Sequence, residues 1–587
     1  MRIFRRLLGL LSPYRGGVAA SLLLAAAAMG AGILIPYLVG RTVDDIRGGG
    51  ADLTLLAGVI AAAAVLRLGF SVVRRLVAGR VSLGVELDLR DRLYGHLQSL
   101  ELGFFDGQQT GQLMSRSTVD LQSVRFFLGY GLVFMVQSAL AIVIAAGVMI
   151  AVNPPLAAVA LAPMPLVIWI AWRYGTRNRP AAQEVQQRVA ELTAEAEENV
   201  SGVRVVKAFA QEARQRRRFD GAVRRVFDQS MVSTRLRAFY NPFIGFLPQL
   251  GLAAILFFGG RQVIQETITV GEFVAFYGYL VMLTSPMRTL GTSLGMAQRA
   301  VASGARVFEI LDREPRLTSP PGAPPLPDGG GRVQLRDVTF AYDGGAPVLA
   351  GIDLEVEAGR TVAIVGATGS GKTTLVALVP RLYDVDRGAV LIDGVDVRCV
   401  DPGSLRREIA LVSDDAFLFS DTLASNIAYA RPDASEHEVR EAARRAGLEE
   451  VVATLELGYE TIVGERGLSL SGGQRQRVAI ARALLAEPRI LILDDATSSV
   501  DATTESAIKE ALREVMAGRT TFVIAHRLST ISLADEVVVL ERGRLAARGS
   551  HEELLARSQL YRDVVEGAAL PGGARAGEPA RAEAARL

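Results

Sequence analysis

Six long apolar stretches crowd the first 310 residues, at about 17–40, 53–74, 129–152, 155–174, 242–264 and 272–291. Crossing about 30 Å of hydrocarbon takes about 20 apolar residues in a helix, so these stretches predict six membrane spans. The segment before them, MRIFRRLLGLLSPYRGG, is basic and amphipathic. The apolar run after it is too long for a signal peptide and lacks a cleavage site, so an interfacial elbow helix is expected. Short joins follow the first, third and fifth spans, including the turn Asn153-Pro154-Pro155. Two long segments, about 75–128 and 175–241, separate the rest, and the second carries Arg214, Arg216, Arg217 and Arg218. Positive charge collects on the cytoplasmic side, which puts both long segments and both termini there and makes a multi-pass protein of the cell (plasma or inner) membrane. The runs DLRDRLYGHLQSLELGFF and AAQEVQQRVAELTAEAEENV read as helices that continue the spans below the bilayer. About 25 further residues would reach about 37 Å at helical rise.

Charge nearly cancels, with 64 Lys+Arg against 62 Asp+Glu, which removes any case for a nucleic-acid binder built on bulk positive charge. A single cysteine, Cys399, excludes an intramolecular disulfide and a cysteine metal cluster. Four histidines (His96, His437, His526, His551) leave little room for a histidine-rich metal site.

Composition changes at PRLTSPPGAPPLPDGGG, which has no apolar periodicity and marks a boundary. Beyond it, β-branched runs (TVAIVG, AVLIDG, ILILDD, TFVIAH, EVVVLE) alternate with helical stretches, the pattern of an α/β sheet. The expected organisation is a six-helix membrane domain over 1–312, a linker over 313–331, an α/β nucleotide-binding domain over 332–566 and a disordered Ala/Gly/Pro/Arg-rich tail over 567–587.

Gly366-Ala367-Thr368-Gly369-Ser370-Gly371-Lys372-Thr373 follows the strand TVAIV and opens the helix TLVALVPRLY, fitting G-x-x-x-x-G-K-[ST] in its strand–loop–helix context. Such a loop wraps the β-phosphate with backbone N–H groups, Lys372 neutralises β/γ oxygens, and Thr373 ligates Mg²⁺, with Thr374 beside it. Downstream, Ile490-Leu491-Ile492-Leu493-Asp494 is an apolar strand ending in a carboxylate that a sheet can bring beside Thr373 to hold Mg²⁺. Between the two, Leu470-Ser471-Gly472-Gly473-Gln474 opens the helix RQRVAIARALLAEP. A Ser-Gly-Gly at a helix start reads as a capped terminus or as a second phosphate site, and two phosphate sites in one domain suit a head-to-tail pair of domains around nucleotide.

The phosphate loop, LSGGQ and ILILDD in that order resemble an ATP-binding cassette (ABC) transporter, and the likeness runs over the whole chain apart from the tail. Six spans fused to one cassette are similar to half-transporter exporters of drugs and lipids. HLQSLELGFFDGQQTGQLMSR and NVSGVRVVKAFAQE resemble that family's two coupling regions. The resemblance implies ATP and Mg²⁺ as cofactors, Tyr342 stacked on adenine, His526 on the γ-phosphate, and Ser499 and Asp501 in a loop crossing the dimer interface. It also implies that Gly464-Glu465-Arg466-Gly467 touches the partner's coupling helices, and that LSGGQ completes the partner's nucleotide site.

Two positions depart from the family pattern. Asp495 stands where hydrolysing cassettes usually place Glu; the lost methylene withdraws the carboxylate by about 1.5 Å, and misplacement near 1 Å can cost about 10²-fold in rate. Asp414, in Val412-Ser413-Asp414-Asp415, stands where the family has Gln, exchanging a neutral ligand of Mg²⁺ for a negative one. Together they imply a slow, degenerate site in this chain and a heterodimer with a second half-transporter that supplies the catalytic Glu. The function expected is ATP-driven export of small hydrophobic or amphipathic molecules by alternating access. The competing readings are a siderophore-type importer on the same scaffold and a non-catalytic ATP-binding regulatory subunit. For the substrate path, Gln137, Trp169, Trp172, Phe246, Gln249, Tyr277, Tyr279, Met282 and Met287 are candidates. Arg67, about 21 Å into the second span, either faces an anionic group or marks the edge of the hydrocarbon.

Overall fold

The computed structural model describes residues 2–48, 52–414, 416–464, 470–494, 510–525 and 527–569. The chain divides into two compact units, Met1–Gln98 with Thr110–Arg313, and Ser99–Gln109 with Glu314–Leu587.

The first unit is helical. A short basic helix, α1 (Arg2–Gly9), precedes α2 (Arg15–Arg47) and α3 (Leu53–Ser99). The chain returns from α4 (Leu102–Asp106), which belongs to the other unit, through α5 (Thr110–Val152), α6 (Pro154–Ser201), α7 (Val203–Ala208), α8 (Glu212–Ile264) and α9 (Val270–Leu311). Among the described residues, α2, α3, α5, α6 and α8 are long and apolar enough to cross a membrane, and α9, with 42 residues, holds the sixth expected span. At 47 residues α3 is about 70 Å long, more than twice the hydrocarbon thickness, so the expected extensions beyond the apolar runs are present.

The run expected as one helix over DLRDRLYGHLQSLELGFF is instead two. Helix α3 stops at Ser99, and Glu101 is extended (φ −69°, ψ 155°) because its buried carboxylate accepts from the backbone N–H of Arg316 at 3.0 Å. That bond takes Glu101 out of the helix and starts α4 as a separate element.

Ion pairs hold the extensions together. The nearly buried Asp120 carboxylate of α5 accepts from both Nε (2.8 Å) and Nη2 (2.5 Å) of Arg306 on α9. Glu86 of α3 accepts from Arg125 of α5 and from Arg90, each at 2.7 Å. The carboxylates are buried while Arg306 and Arg90 reach solvent, so stranding a carboxylate costs less than the roughly 3–5 kcal/mol of a fully buried pair. Helix α5 contains π-helical turns at Arg116–Asp120 and Phe127–Gly131, the first ending on Asp120 itself.

At the opposite end of the bundle, tight turns are closed by caps. Asn153 caps α6 by accepting from the Leu156 N–H (2.9 Å) while its amide donates to Gln262 (2.9 Å). Thr269 and Glu272 form a capping box at the start of α9. Asp44, near the end of α2, accepts from the Gly271 N–H (2.7 Å) and from the Thr269 hydroxyl (2.5 Å), so one carboxylate satisfies donors of another helix's first turn. The helices cross there backbone to backbone: a Cβ on Gly271 would lie 1.9 Å from the Gly40 carbonyl oxygen.

The second unit carries two main sheets and a two-stranded antiparallel ribbon of β7 (Asp421–Thr422) and β8 (Ile462–Val463). Strands β1 (Val333–Phe340), β2 (Leu349–Val356), β4 (Arg387–Ile392) and β5 (Val395–Asp396) form an antiparallel sheet ordered β2-β1-β4-β5. The larger sheet is ordered β12-β11-β3-β10-β9-β6 from β3 (Thr361–Val365), β6 (Ile409–Val412), β9 (Ile490–Asp494), β10 (Thr520–Ile524), β11 (Glu536–Glu541) and β12 (Arg544–Gly549), parallel except at the β12 edge. The AVLIDG run, expected in the α/β sheet, lies in the antiparallel one, where it pairs with β1. In β3, Ala363 and Val365 pack into one core and Val362 and Ile364 into another, so the strand is covered on both faces and reads as unbroken apolar sequence.

Replacing Gly271 with Ala should overpack the α2–α9 crossing by about 1–3 kcal/mol. Its thermal midpoint in detergent, followed by size exclusion, is expected to fall by several degrees, whereas Gly30→Ala, whose added Cβ meets nothing within 4 Å, should leave it unchanged.

Candidate nucleotide site

The parallel register decides what meets at the sheet's C-terminal edge. Ile524 pairs with Ile364 on one side and Asp494 on the other, and Leu493 pairs with Val412. The loop after β3 (366–371), the carboxylate ending β9 and the Ser413-Asp414 segment after β6 therefore leave the sheet on one edge. Ile364 and Asp494 stand two strands apart, about 10 Å at normal strand spacing. In open α/β sheets that edge is where ligands bind.

Gly369 (φ 80°) and Gly371 (φ 100°) adopt left-handed backbone, which only glycine takes without strain. Gly371 is also hemmed in, since a Cβ there would lie 2.9 Å from Leu349 Cδ2. It caps the helix Lys372–Ala377, which is shorter than the ten-residue run TLVALVPRLY expected from sequence because turns replace it before Pro380. The Lys372 ammonium is buried and donates to the carbonyls of Gly366 (2.9 Å) and Ala367 (3.1 Å). It thus holds the loop in a ring around its own charge. The buried Ser370 hydroxyl has no hydrogen-bond partner among the described residues. A glycine-rich turn around a buried cation, with an orphan hydroxyl, fits a polyphosphate; Thr373 at the helix start and Asp494 are the residues that would hold its metal.

Tyr342 lies half-exposed beside this loop, its hydroxyl 2.9 Å from Thr374 Oγ1 and its ring edge-on to Phe340 and Tyr383. Sequence reasoning singled out Tyr342 but missed Tyr383, whose signal was its place in RLYD just after the loop helix. The Tyr383 hydroxyl donates to Asp106 of α4 at 2.5 Å, so an aromatic pair joins the phosphate-loop helix to the first expected coupling segment. Burial, and then the bond to the Asp106 carboxylate, push the Tyr383 phenol well above its ordinary range. A raised phenol pKa means that the folded chain holds the proton more tightly. That contribution is fully present below about pH 10 and is lost only as pH rises further.

Ser471 and Gln474 form a capping box at the start of the helix Gly472–Ala486: the Ser471 hydroxyl accepts from the Gln474 N–H (3.3 Å) and the Gln474 side chain accepts from the Ser471 N–H (2.8 Å). Leu470 and Gly473 are buried, while Ser471 is exposed. Gln476 of the same helix donates to the Ser413 carbonyl (3.3 Å), tying this helix to the segment that carries Asp414, itself exposed. Asp495, Ser499, Asp501, His526 and the 465–467 part of Gly464-Glu465-Arg466-Gly467 lie outside the described residues. In the membrane unit, Tyr279 is fully packed, whereas Trp169, Trp172, Phe246 and Tyr277 are exposed. The Arg67 guanidinium sits where a Cβ on Gly32 would be 3.4 Å away, close to Met282.

Fold and site together define a membrane-spanning protein with a nucleotide-binding domain on the same chain. Residues 18–287 match the family described as the ABC transporter transmembrane region, and 349–498 match the ABC transporter family. The chain is 40% identical to an ATP-dependent lipid A-core flippase of Syntrophus aciditrophicus over 96% of its length and 94% of that protein's. It is 42% identical to a multidrug efflux ATP-binding/permease protein of Mycobacterium tuberculosis over 91% of its length but 45% of that protein's. The structure of a bacterial Atm1-family ABC exporter with ATP bound is similar with a TM-score of 0.79 and 31% identity, covering 95% of this chain and 99% of that one. The chain belongs to the ABC transporter family, as a half-transporter of exporter type that couples ATP hydrolysis to transport across a membrane. Members of this kind work as dimers.

Tyr342→Ala should weaken binding of a fluorescent ATP analogue roughly tenfold, the order of one lost base–aromatic stack. Tyr383→Phe, which removes only the bond to Asp106, is expected to keep nucleotide affinity and to lower transport-coupled ATPase activity.

Proposed function

We propose that this chain exports an amphipathic molecule of lipid or drug class as one half of a heterodimer, with a slow nucleotide site of its own. The observation that carries the proposal is a mismatch within one cassette. Asp495 and Asp414 replace the residues that position water and coordinate Mg²⁺, while the phosphate loop and Leu470–Gln474 keep every family residue. Since the signature serves the opposite site of a head-to-tail dimer, this chain completes the site at which its partner supplies the catalytic Glu. Tyr342, Gly366–Thr374 and Asp414 bind the nucleotide, Thr373 and Asp494 hold Mg²⁺, His526 contacts the γ-phosphate, and Ser499 and Asp501 line the interface. Residues 1–312 form the membrane domain and 332–566 the cassette, which faces the cytoplasm of a cell whose plasma or inner membrane holds the spans. The lipid A-core flippase and multidrug relatives support the substrate class. Arg67, a cation well inside the second span, favours substrates that carry an acidic group.

The deciding experiment is ATPase turnover in lipid, for the chain alone and mixed with a second half-transporter encoded beside it. Activity confined to the mixture supports the heterodimer; strong activity from the chain alone overturns it and makes Asp495 a sufficient catalytic carboxylate. Asp495→Glu is expected to raise turnover at the chain's own site by one to two orders of magnitude. Ser471→Ala should depress the partner's site more than its own. Arg67→Ala should weaken ATPase stimulation by acidic amphiphiles and spare stimulation by neutral ones.

A further inference from the structure

Between α1, α2, α3 and α5 lies a cavity of about 280 Å³, walled by Leu8, Leu22, Ala78, Val133 and Val136 and by one polar residue, Ser21. It is apolar and large: an apolar cavity of about 150 Å³ takes up one benzene, so this one has room for a chain of roughly a dozen carbons. Two buried polar atoms, the Ser21 hydroxyl and the Arg74 Nε, lack a hydrogen-bond partner among the described residues. Ser21 is 1% exposed, and its hydroxyl, in the cavity wall, has no hydrogen-bond partner among the described residues. Arg74, one helical turn from Ala78 on the same face of α3, is 4% exposed. Its guanidinium lies 5.5 Å over the Phe134 ring, its Nε is unpartnered, and no carboxylate pairs with it among the described residues. An unmet buried hydroxyl in an apolar cleft is costly, and a lipid with an ester group and an acyl chain answers both the hydroxyl and the cleft.

We propose that this cavity is a resident lipid site, taking one acyl chain of an anionic bilayer lipid from the leaflet against which α1 lies. The Ser21 hydroxyl donates to an ester oxygen of that lipid, and the exposed Arg2 and Arg5 of α1, the helix that contributes Leu8 to the wall, draw the anionic head to the site. The occupant is a membrane lipid and not the transported molecule. Ser21 is eleven residues from Gly32, about 16 Å along α2 from the Arg67 position. A bilayer chain gains no hydrophobic energy by entering, so its retention rests on packing and on the Ser21 bond. The chain then serves as a removable part of the core that joins α1 and α2 to α3 and α5. The orientation proposed above makes this the cytoplasmic leaflet.

The test uses the full chain in lipid nanodiscs containing phosphatidylglycerol with a diazirine on one acyl chain, irradiated and mapped by mass spectrometry. Labelling should concentrate on segments 18–22 and 128–136, and be weaker with the matching phosphatidylcholine probe. Val136→Phe, which fills the cavity, should abolish it while labelling of 53–66 is unchanged and fluorescent-ATP binding is retained. Ser21→Ala, too small a change to threaten folding, should reduce it about fivefold, the worth of one hydrogen bond. Equal labelling in the unaltered chain and in Ser21→Ala overturns the proposal, as does labelling competed away by an amphiphile that the transporter exports, which would place the cavity on the transport path. The labelling needs neither a partner chain nor ATP, so its failure leaves the export reading standing, and failure of that reading leaves the lipid site testable.

Discussion

The parallel alignment of β3, β10, β9 and β6 is the constraint on which the nucleotide chemistry depends. Residues 130 positions apart in sequence reach one edge because β3, β10 and β9 are covered on both faces, so a slip in register would pull apolar side chains out of one core or the other. From that edge the loop 366–371 turns through left-handed glycines onto Lys372, and the Ser413-Asp414 segment emerges beside the end of Asp494's strand. The Gln476–Ser413 bond then attaches the signature helix to this same edge. A change at one of these positions is felt at the others because all of them hang from a single sheet.

The membrane unit obeys a different rule. In hydrocarbon each helix satisfies its own backbone, so apolar residues specify that a segment spans and say little about which neighbour it meets. The polar contacts at the two ends supply that choice. Asp120–Arg306 and Glu86–Arg125 fasten the extensions of α3, α5 and α9, while Asp44 fastens α2 to the start of α9. These bonds are directional, so they select a neighbour where apolar contact alone does not.

Helix α4 belongs to the cassette-bearing unit although the chain reaches it from α3. Glu101 and Asp106 bracket it, one bonded to the Arg316 backbone and the other to Tyr383, whose ring abuts Tyr342. An aromatic expected to stack on adenine therefore stands one ring away from the residue that grips α4.

Much of this protein was legible from residue order alone, because the relevant signals are local. Six apolar runs specify spans through length and hydropathy, and G-x-x-x-x-G-K-T after a strand specifies a phosphate loop through the left-handed backbone that its glycines permit. The Asp495 and Asp414 departures are likewise matters of residue identity. Tertiary structure decided what depends on partners distant in sequence. It set the break at Glu101, made by a bond to residue 316, and moved the AVLIDG strand into the antiparallel sheet, where β1 and not its own pattern claims it. The Tyr383–Asp106 contact and the cavity at Ser21 arise in the same way. Apolar periodicity reports that a face is buried; only the assembled helices determine whether their surfaces fill the space between them or leave room for a lipid chain.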